Sequence, residues 1–249
     1  MTTEFRSALS LSLAIVLASV VASGAFLKAK RLDQNIKILM LNPADSDAAK
    51  ASVAAANKKK VPVITLDRSA NGGDVVTHIA SDNVAGGRMA ADQLIKKLGG
   101  KGNVVELEGV PGASAARDRG KGFGEEIATA PGIKIIASQT ANFDRAQGLN
   151  VMENILQAHP DIDAVFAQND EMALGALKAI QAAHRKIIVV GFDATDDARA
   201  AVKSGAMYAT IAQQPAMIGS LGVEAADKIV KGQSVPKYTG VPLQVVGGG

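Results

Sequence analysis

From residue 36 to residue 246 the chain alternates short runs of Val, Ile, Leu and Ala with longer helix-patterned stretches, and no other feature restricts its fold so tightly. The apolar runs predict strands at 36–41, 61–66, 75–80, 104–107, 133–138, 164–167, 187–192, 209–212 and 243–246. Helices are expected over 44–58, 83–98 and 216–231, with others starting near Ser114, Asp144, Asp170 and Thr195. End signals fit that reading. Asp45 or Ser46 can cap the first helix and Ser81 or Asp82 the second, which runs out at Gly99-Gly100. Strands alternating with helices imply parallel sheets joined by right-handed crossovers. Strands with so few polar interruptions imply sheets covered on both faces.

Composition agrees with such an α/β chain. Apolar residues make up 47% but aromatics only 3%, so Ala, Val, Ile and Leu fill the helix–sheet interfaces. A length of 249 residues accommodates one large or two small domains. Basic and acidic residues, 27 and 24, are interspersed, with no basic block or aromatic-plus-basic face to engage nucleic acid. The absence of Cys removes disulfides, thiol chemistry and a lipid-anchoring Cys.

Residues 1–31 stand apart. Arg6 precedes an uncharged stretch over 7–27, with small residues at Ser23-Gly24-Ala25. That pattern suits a cleaved export signal and a periplasmic location. Its length also suits a membrane anchor through 7–27, and Lys28, Lys30 and Arg31 favour keeping the downstream side in the cytoplasm. The third reading, a buried core helix, is disfavoured by the absence of any strongly polar face.

In open α/β sheets ligands bind beyond the carboxyl ends of the strands. Those ends carry Asn42, Asp67-Arg68, Arg117-Asp118-Arg119, Phe143, Gln168-Asn169-Asp170, Asp193 and Gln213-Gln214. Singly, each has an ordinary explanation. Asn42 and Asp193 suit turns, Asp170 suits a helix cap, the arginines suit a solvated surface and Phe143 suits the core. Together they offer carboxylate, amide and guanidinium groups to a polyhydroxylated ligand, with an aromatic ring for its C–H face. No enzymatic pattern accompanies them. The chain has no GxxxxGK[ST] and no GxSxG, and His78, His159 and His184 are too dispersed for a helical metal pair. Neither a cofactor nor a catalytic residue is expected.

The stretches LNPADSDA (41–48), VPVITLDR (61–68), HIASDN (78–83), SAARDRGKGF (114–123), VFAQNDEMALGAL (165–177) and VVGFDAT (189–195) resemble the ribose-binding proteins of bacterial ABC importers. The resemblance spans about 32–246. It implies the periplasmic binding protein type I fold, two Rossmann-like lobes with parallel sheets. It places an N-terminal lobe at 32–81 plus 214–242 and a C-terminal lobe at 82–213 plus 243–249. It implies a ribose-like monosaccharide as ligand and an inner-membrane ABC permease as partner. It carries family ligand contacts onto Asn42, Asp67, Arg68, Arg119, Phe143, Asn169, Asp193 and Gln213. Against the family pattern, two opening strand–helix units are expected to be missing, leaving the N-terminal lobe incomplete. A truncated relative that no longer binds sugar is therefore an alternative. So is the core of a sugar-responsive repressor, although residues 1–30 offer an apolar stretch where a helix-turn-helix would stand.

Overall fold

The computed structural model describes residues 15–20 and 36–248. The chain divides into two compact units, residues 1–79 with 218–239 and residues 80–217 with 240–249.

The first unit is built on a sheet of order β1-β2-β3-β4-β10, where β1 is Ile15–Val20, β2 Ile38–Pro43, β3 Val63–Leu66, β4 Thr77–Ser81 and β10 Tyr238–Val241. Strands β1 to β4 run parallel. Helix α1 (Ala49–Lys58) lays Ala49, Val53 and Ala56 on Leu39, Leu41 and Val63. Helix α7 (Pro215–Val230) approaches the sheet through Gly222, where a Cβ would lie 2.9 Å from both Met40 Cε and Leu66 Cδ2.

The structure departs from these expectations or adds to them in three places. Helix α1 starts at 49, not 44, with Ala48 at the cap position and no side-chain cap. Asp45 Oδ1 instead accepts the Asp47 and Ala48 amides, a local turn that competes with helix and delays it. Ile15–Val20, inside the segment read as signal, anchor or helix, pairs with β2 as the sheet's edge strand. The rest of residues 1–31 lies outside the described residues. Strand β10 had no signal in the sequence, because only Val241 of its four residues is buried.

The second unit has a six-stranded sheet of order β11-β9-β8-β7-β5-β6: β5 Lys101–Glu108, β6 Gly132–Thr140, β7 Ala164–Ala167, β8 Ile188–Asp193, β9 Ala209–Ala212 and β11 Gln244–Gly247. All pairs are parallel except β11 with β9. Helices α2 (Asn83–Leu98) and α3 (Ser114–Ile127) cover one face around Phe123, Phe166 and Phe192. Helices α4 (Arg145–Ala158), α5 (Asp170–Ala182) and α6 (Asp196–Lys203) cover the other around Met152, Met172 and Val189. Paired glycines bring the helices together. A Cβ at Gly87 would lie 2.1 Å from the Arg119 carbonyl, and one at Gly122 would strike the Val84 carbonyl. Gly175 meets the Arg145 carbonyl in the same way. Caps follow local chemistry: Asp82, Asp144 and Thr195 accept the amides of Ala85, Gln147 and Ala198, and Gly99 closes α2 at φ 64°. For α5 the cap is Asn169, whose Oδ1 accepts the Met172 amide at 3.0 Å, and not Asp170.

Candidate functional site

In the second unit the order β6-β5-β7-β8-β9 reverses at β5 and β7, because β5 is followed in sequence by β6 on one side and has β7 on the other. Loops leaving such a reversal point diverge and open a crevice at the carboxyl ends of the strands. Arg119, Phe143, Asn169, Asp193 and Gln213 all belong to this end of the unit.

Arg119 anchors the group. It lies in the second turn of α3, held down by the Gly87 contact, and is only 4% exposed. Its Nε donates to Asn83 Oδ1 at 2.9 Å and its Nη1 to the Gln168 carbonyl. The guanidinium lies 3.7 Å from the centre of the Phe192 ring and 5.8 Å from that of Phe143. Stacking and hydrogen bonds together fix a planar charge that would otherwise be costly to bury. Nη1 forms an ion pair at 3.7 Å with Asp193 Oδ1, and that oxygen accepts a hydrogen bond from Gln213 Nε2 at 2.7 Å. The other end of that amide, Gln213 Oε1, is buried and has no hydrogen-bond partner among the described residues. A buried acceptor left unmatched costs about 1–3 kcal/mol, so a donor from a ligand has a place to bind.

Phe143 follows Asn142 in a turn where both residues are left-handed, with φ of 60° and 53°. Asn169 Nδ2 donates to the Phe143 carbonyl at 3.2 Å, and the ring lies over Gly109, where a Cβ would come within 2.0 Å of Cζ. The ring is half-buried and packs in part on the core.

In the first unit Asn42, Asp67 and Arg68 gather at the ends of β2 and β3. Asn42 Nδ2 donates to Asp67 Oδ2 at 3.3 Å, and Arg68 Nε is 3.7 Å from the same oxygen. Asp67 adopts φ 62° and donates its amide to the Ile79 carbonyl.

The sequence names Gln168 and Asp170 among the polar strand ends but gives neither a place in the ligand set, and it gives Asn83 no role. Gln168 spans the second unit's cluster: its carbonyl receives Arg119, its Oε1 accepts the Gly109 amide, and its Nε2 donates to Glu106. Asn83 and Asp170 are also buried polar groups. A polar residue at the end of an otherwise apolar run was the available signal for Gln168 and Asp170. Arg117 donates to the Gly112 carbonyl and, with Glu106, Glu108, Lys121 and Gln168, lines a cleft of about 490 Å³. Burial raises the Glu106 carboxyl above its usual range, and Glu108 adds to this. Among the described residues no group of three or more His, Cys, Asp or Glu side chains is placed to hold a metal.

Residues 29–234 match the family model described as a periplasmic binding protein domain. The chain is 58% identical over 210 residues to the ribose import binding protein of Haemophilus influenzae, covering 84% of this chain and 72% of that protein. Against the Bacillus subtilis ribose import binding protein the identity is 52% over 214 residues, covering 86% and 70%. Among solved structures, the Caulobacter myo-inositol binding protein bound to myo-inositol matches with TM-score 0.83 and 36% identity, covering 88% of this chain and 76% of that one. A solute-binding protein of Actinobacillus succinogenes with bound D-allose matches with TM-score 0.82 and 34% identity, covering 88% and 80%.

Proposed function

The chain belongs to the periplasmic binding protein family, and from that premise we propose that it is the sugar-binding component of an ABC importer, taking ribose or a similar monosaccharide. The observation that carries this reading is the Arg119–Asp193–Gln213 chain of polar groups, which ends in the buried, unmatched Gln213 Oε1. A sugar hydroxyl is both donor and acceptor, so adjacent hydroxyls match an amide oxygen, a carboxylate and a guanidinium in one array. Phe143 offers a ring face to the sugar's C–H groups. Asn169 offers a further amide in the second unit, and Asn42, Asp67 and Arg68 offer amide, carboxylate and guanidinium groups of the same kind in the first. The protein is a receptor that hands sugar to a membrane permease, with no catalytic step.

Calorimetric titration with ribose tests the assignment. Parent protein should bind, and Phe143→Ala should bind about tenfold more weakly for loss of roughly 1–1.5 kcal/mol of aromatic contact. Absence of binding to ribose and to related pentoses and hexoses would remove the reading.

The compartment assigned is the periplasm. No helix among the described residues is long and apolar enough to cross a membrane. Export with cleavage near Phe26 would remove β1, whereas a mature chain retaining Ile15–Val20 keeps that strand on the sheet. N-terminal sequencing of periplasmic extract separates the two, and recovery of the chain only in the membrane fraction would overturn the assigned compartment.

A further inference from the structure

We propose that Asp170 is a positioning residue for the sugar site, its buried carboxylate holding the 193–195 turn in the shape that presents Asp193 to the ligand. The proposal rests on the sugar-binding reading above. Asp170 has no exposed surface, yet it does not cap its own helix, a task Asn169 performs. Its carboxylate is directed at the next strand end. Oδ2 accepts the Thr195 amide at 2.7 Å and the Thr195 hydroxyl at 3.2 Å. Oδ1 accepts the Thr210 hydroxyl at 2.7 Å, and that hydroxyl in turn accepts the Ala194 amide at 3.2 Å. One carboxylate thus ties down two consecutive backbone amides, one directly and one through Thr210.

The turn needs such a tie. Asp193 and Ala194 have φ of 114° and 57°, backbone conformations that non-glycine residues adopt at a cost and keep only where the surroundings fix them. Room for the carboxylate is provided by Gly191, where a Cβ would lie 2.4 Å from Asp170 Oδ1. Burial, followed by the neighbouring Asp193 charge, raises the Asp170 carboxyl to about 6 against the opposing hydrogen bonds. A group held there against its own hydration is suited to fixing geometry.

The test combines sugar titration with amide exchange. Asp170→Ala should weaken ribose binding about tenfold or more, and Thr210→Val about fivefold, as expected when buried hydrogen bonds are lost. Asp170→Asn should recover most of the affinity, because a carboxamide can accept the Thr195 amide and donate to the Thr210 hydroxyl. Exchange should quicken at the Ala194 and Thr195 amides in both the Ala and Val variants while the β7 amides stay slow. The discriminating arm is the double variant. In an Asp193→Asn background, Asp170→Ala should change affinity by less than about twofold, since residues acting through one another are non-additive. Losses that add in full, or unchanged exchange at 194–195, would make Asp170 a core residue and overturn the proposal. If Asp170→Ala does not fold, Thr210→Val, alone and with Asp193→Asn, decides the question by the same two readouts. If the parent binds no sugar, the sugar reading fails, and the exchange arm still decides whether Asp170 holds the turn.

Discussion

The two units present their polar groups to solvent in different ways. In the second unit Arg119 is buried, stacked on Phe192 and bonded to Asn83 and Gln168, and the loops around it are braced by side chains from neighbouring strands. In the first unit Asn42 is exposed, Asp67 and Arg68 are about a quarter exposed, and the contacts joining them are 3.3 and 3.7 Å long. Groups fixed in advance lose little freedom on binding, and exposed side chains must be ordered by the ligand. On the proposed sugar-binding reading, affinity should therefore be more sensitive to truncation of the second unit's groups than of the first unit's.

The strongest way to break this contrast is Arg119→Ala. Two charge-assisted hydrogen bonds at roughly 1.5–3 kcal/mol each imply a loss of about 3–6 kcal/mol, divided between fold stability and sugar affinity. Urea unfolding and calorimetry read the two shares. Little change in both would mean that the buried guanidinium anchors nothing.

Next in size is a pH effect confined to the second unit. The Asp170 carboxyl stands near 6 in the fold against 3.8 as its ordinary value, so the folded chain holds this proton more tightly than the unfolded one. Between those values the folded state is protonated and the unfolded state is not, so stability falls as pH rises through the window. The contribution is fully present below about 3.8 and lost above about 6. It amounts to about 3 kcal/mol at 1.36 kcal/mol per pKa step. Unfolding of the parent should lose that much relative to Asp170→Asn between about pH 4 and pH 7. Parallel curves for the two proteins would show that Asp170 does not titrate in that range.

The same division explains what the sequence could reveal. The second unit's helices and strands were legible because its central strands β7, β8 and β9 are buried on both faces and its caps, Asp82, Asp144 and Thr195, use ordinary capping chemistry. Arg119, Asp193 and Gln213 were legible as strand-end or loop polar residues in an apolar cadence. The role of Asp170 was not, because Asn169 and Asp170 are both good capping residues. Only tertiary structure shows that one caps while the other reaches Thr195 and Thr210. In the first unit, β10 lacks an apolar run, and residues 15–20 read as part of a leader or a membrane span. Their pairing with β2 depends on partners distant in sequence, which periodicity does not encode.

A subtler perturbation is Gly87→Ala. The new methyl would fall 2.1 Å from the Arg119 carbonyl and 2.8 Å from the Phe123 amide, and both are backbone atoms that no rotamer change can move aside. Overpacking of this kind costs about 1–3 kcal/mol, and here relief requires α3 to shift away from α2, carrying Arg119 with it. Affinity should fall about tenfold although no sugar contact has been altered. By contrast, Gly124→Ala on α3 meets no atom within 4 Å and should leave affinity unchanged and stability equal or slightly improved. Equal behaviour of the two variants in titration would separate helix packing from the site.

The smallest effect expected is that of Asn42→Ala. Asn42 is exposed, so the truncation leaves no cavity and strands no buried partner. Its bond to Asp67 Oδ2 is long at 3.3 Å, and water can replace it. On the proposed sugar-binding reading, what remains to lose is one amide hydrogen bond to a sugar hydroxyl, about 0.5–1.5 kcal/mol. A weakening of about two- to tenfold in ribose titration, with an unchanged unfolding midpoint, is the expected outcome. A loss as large as that of Arg119→Ala would mean that the first unit's groups are already fixed before sugar arrives. The difference in exposure between the two sets of groups would then not predict how sensitive affinity is to each.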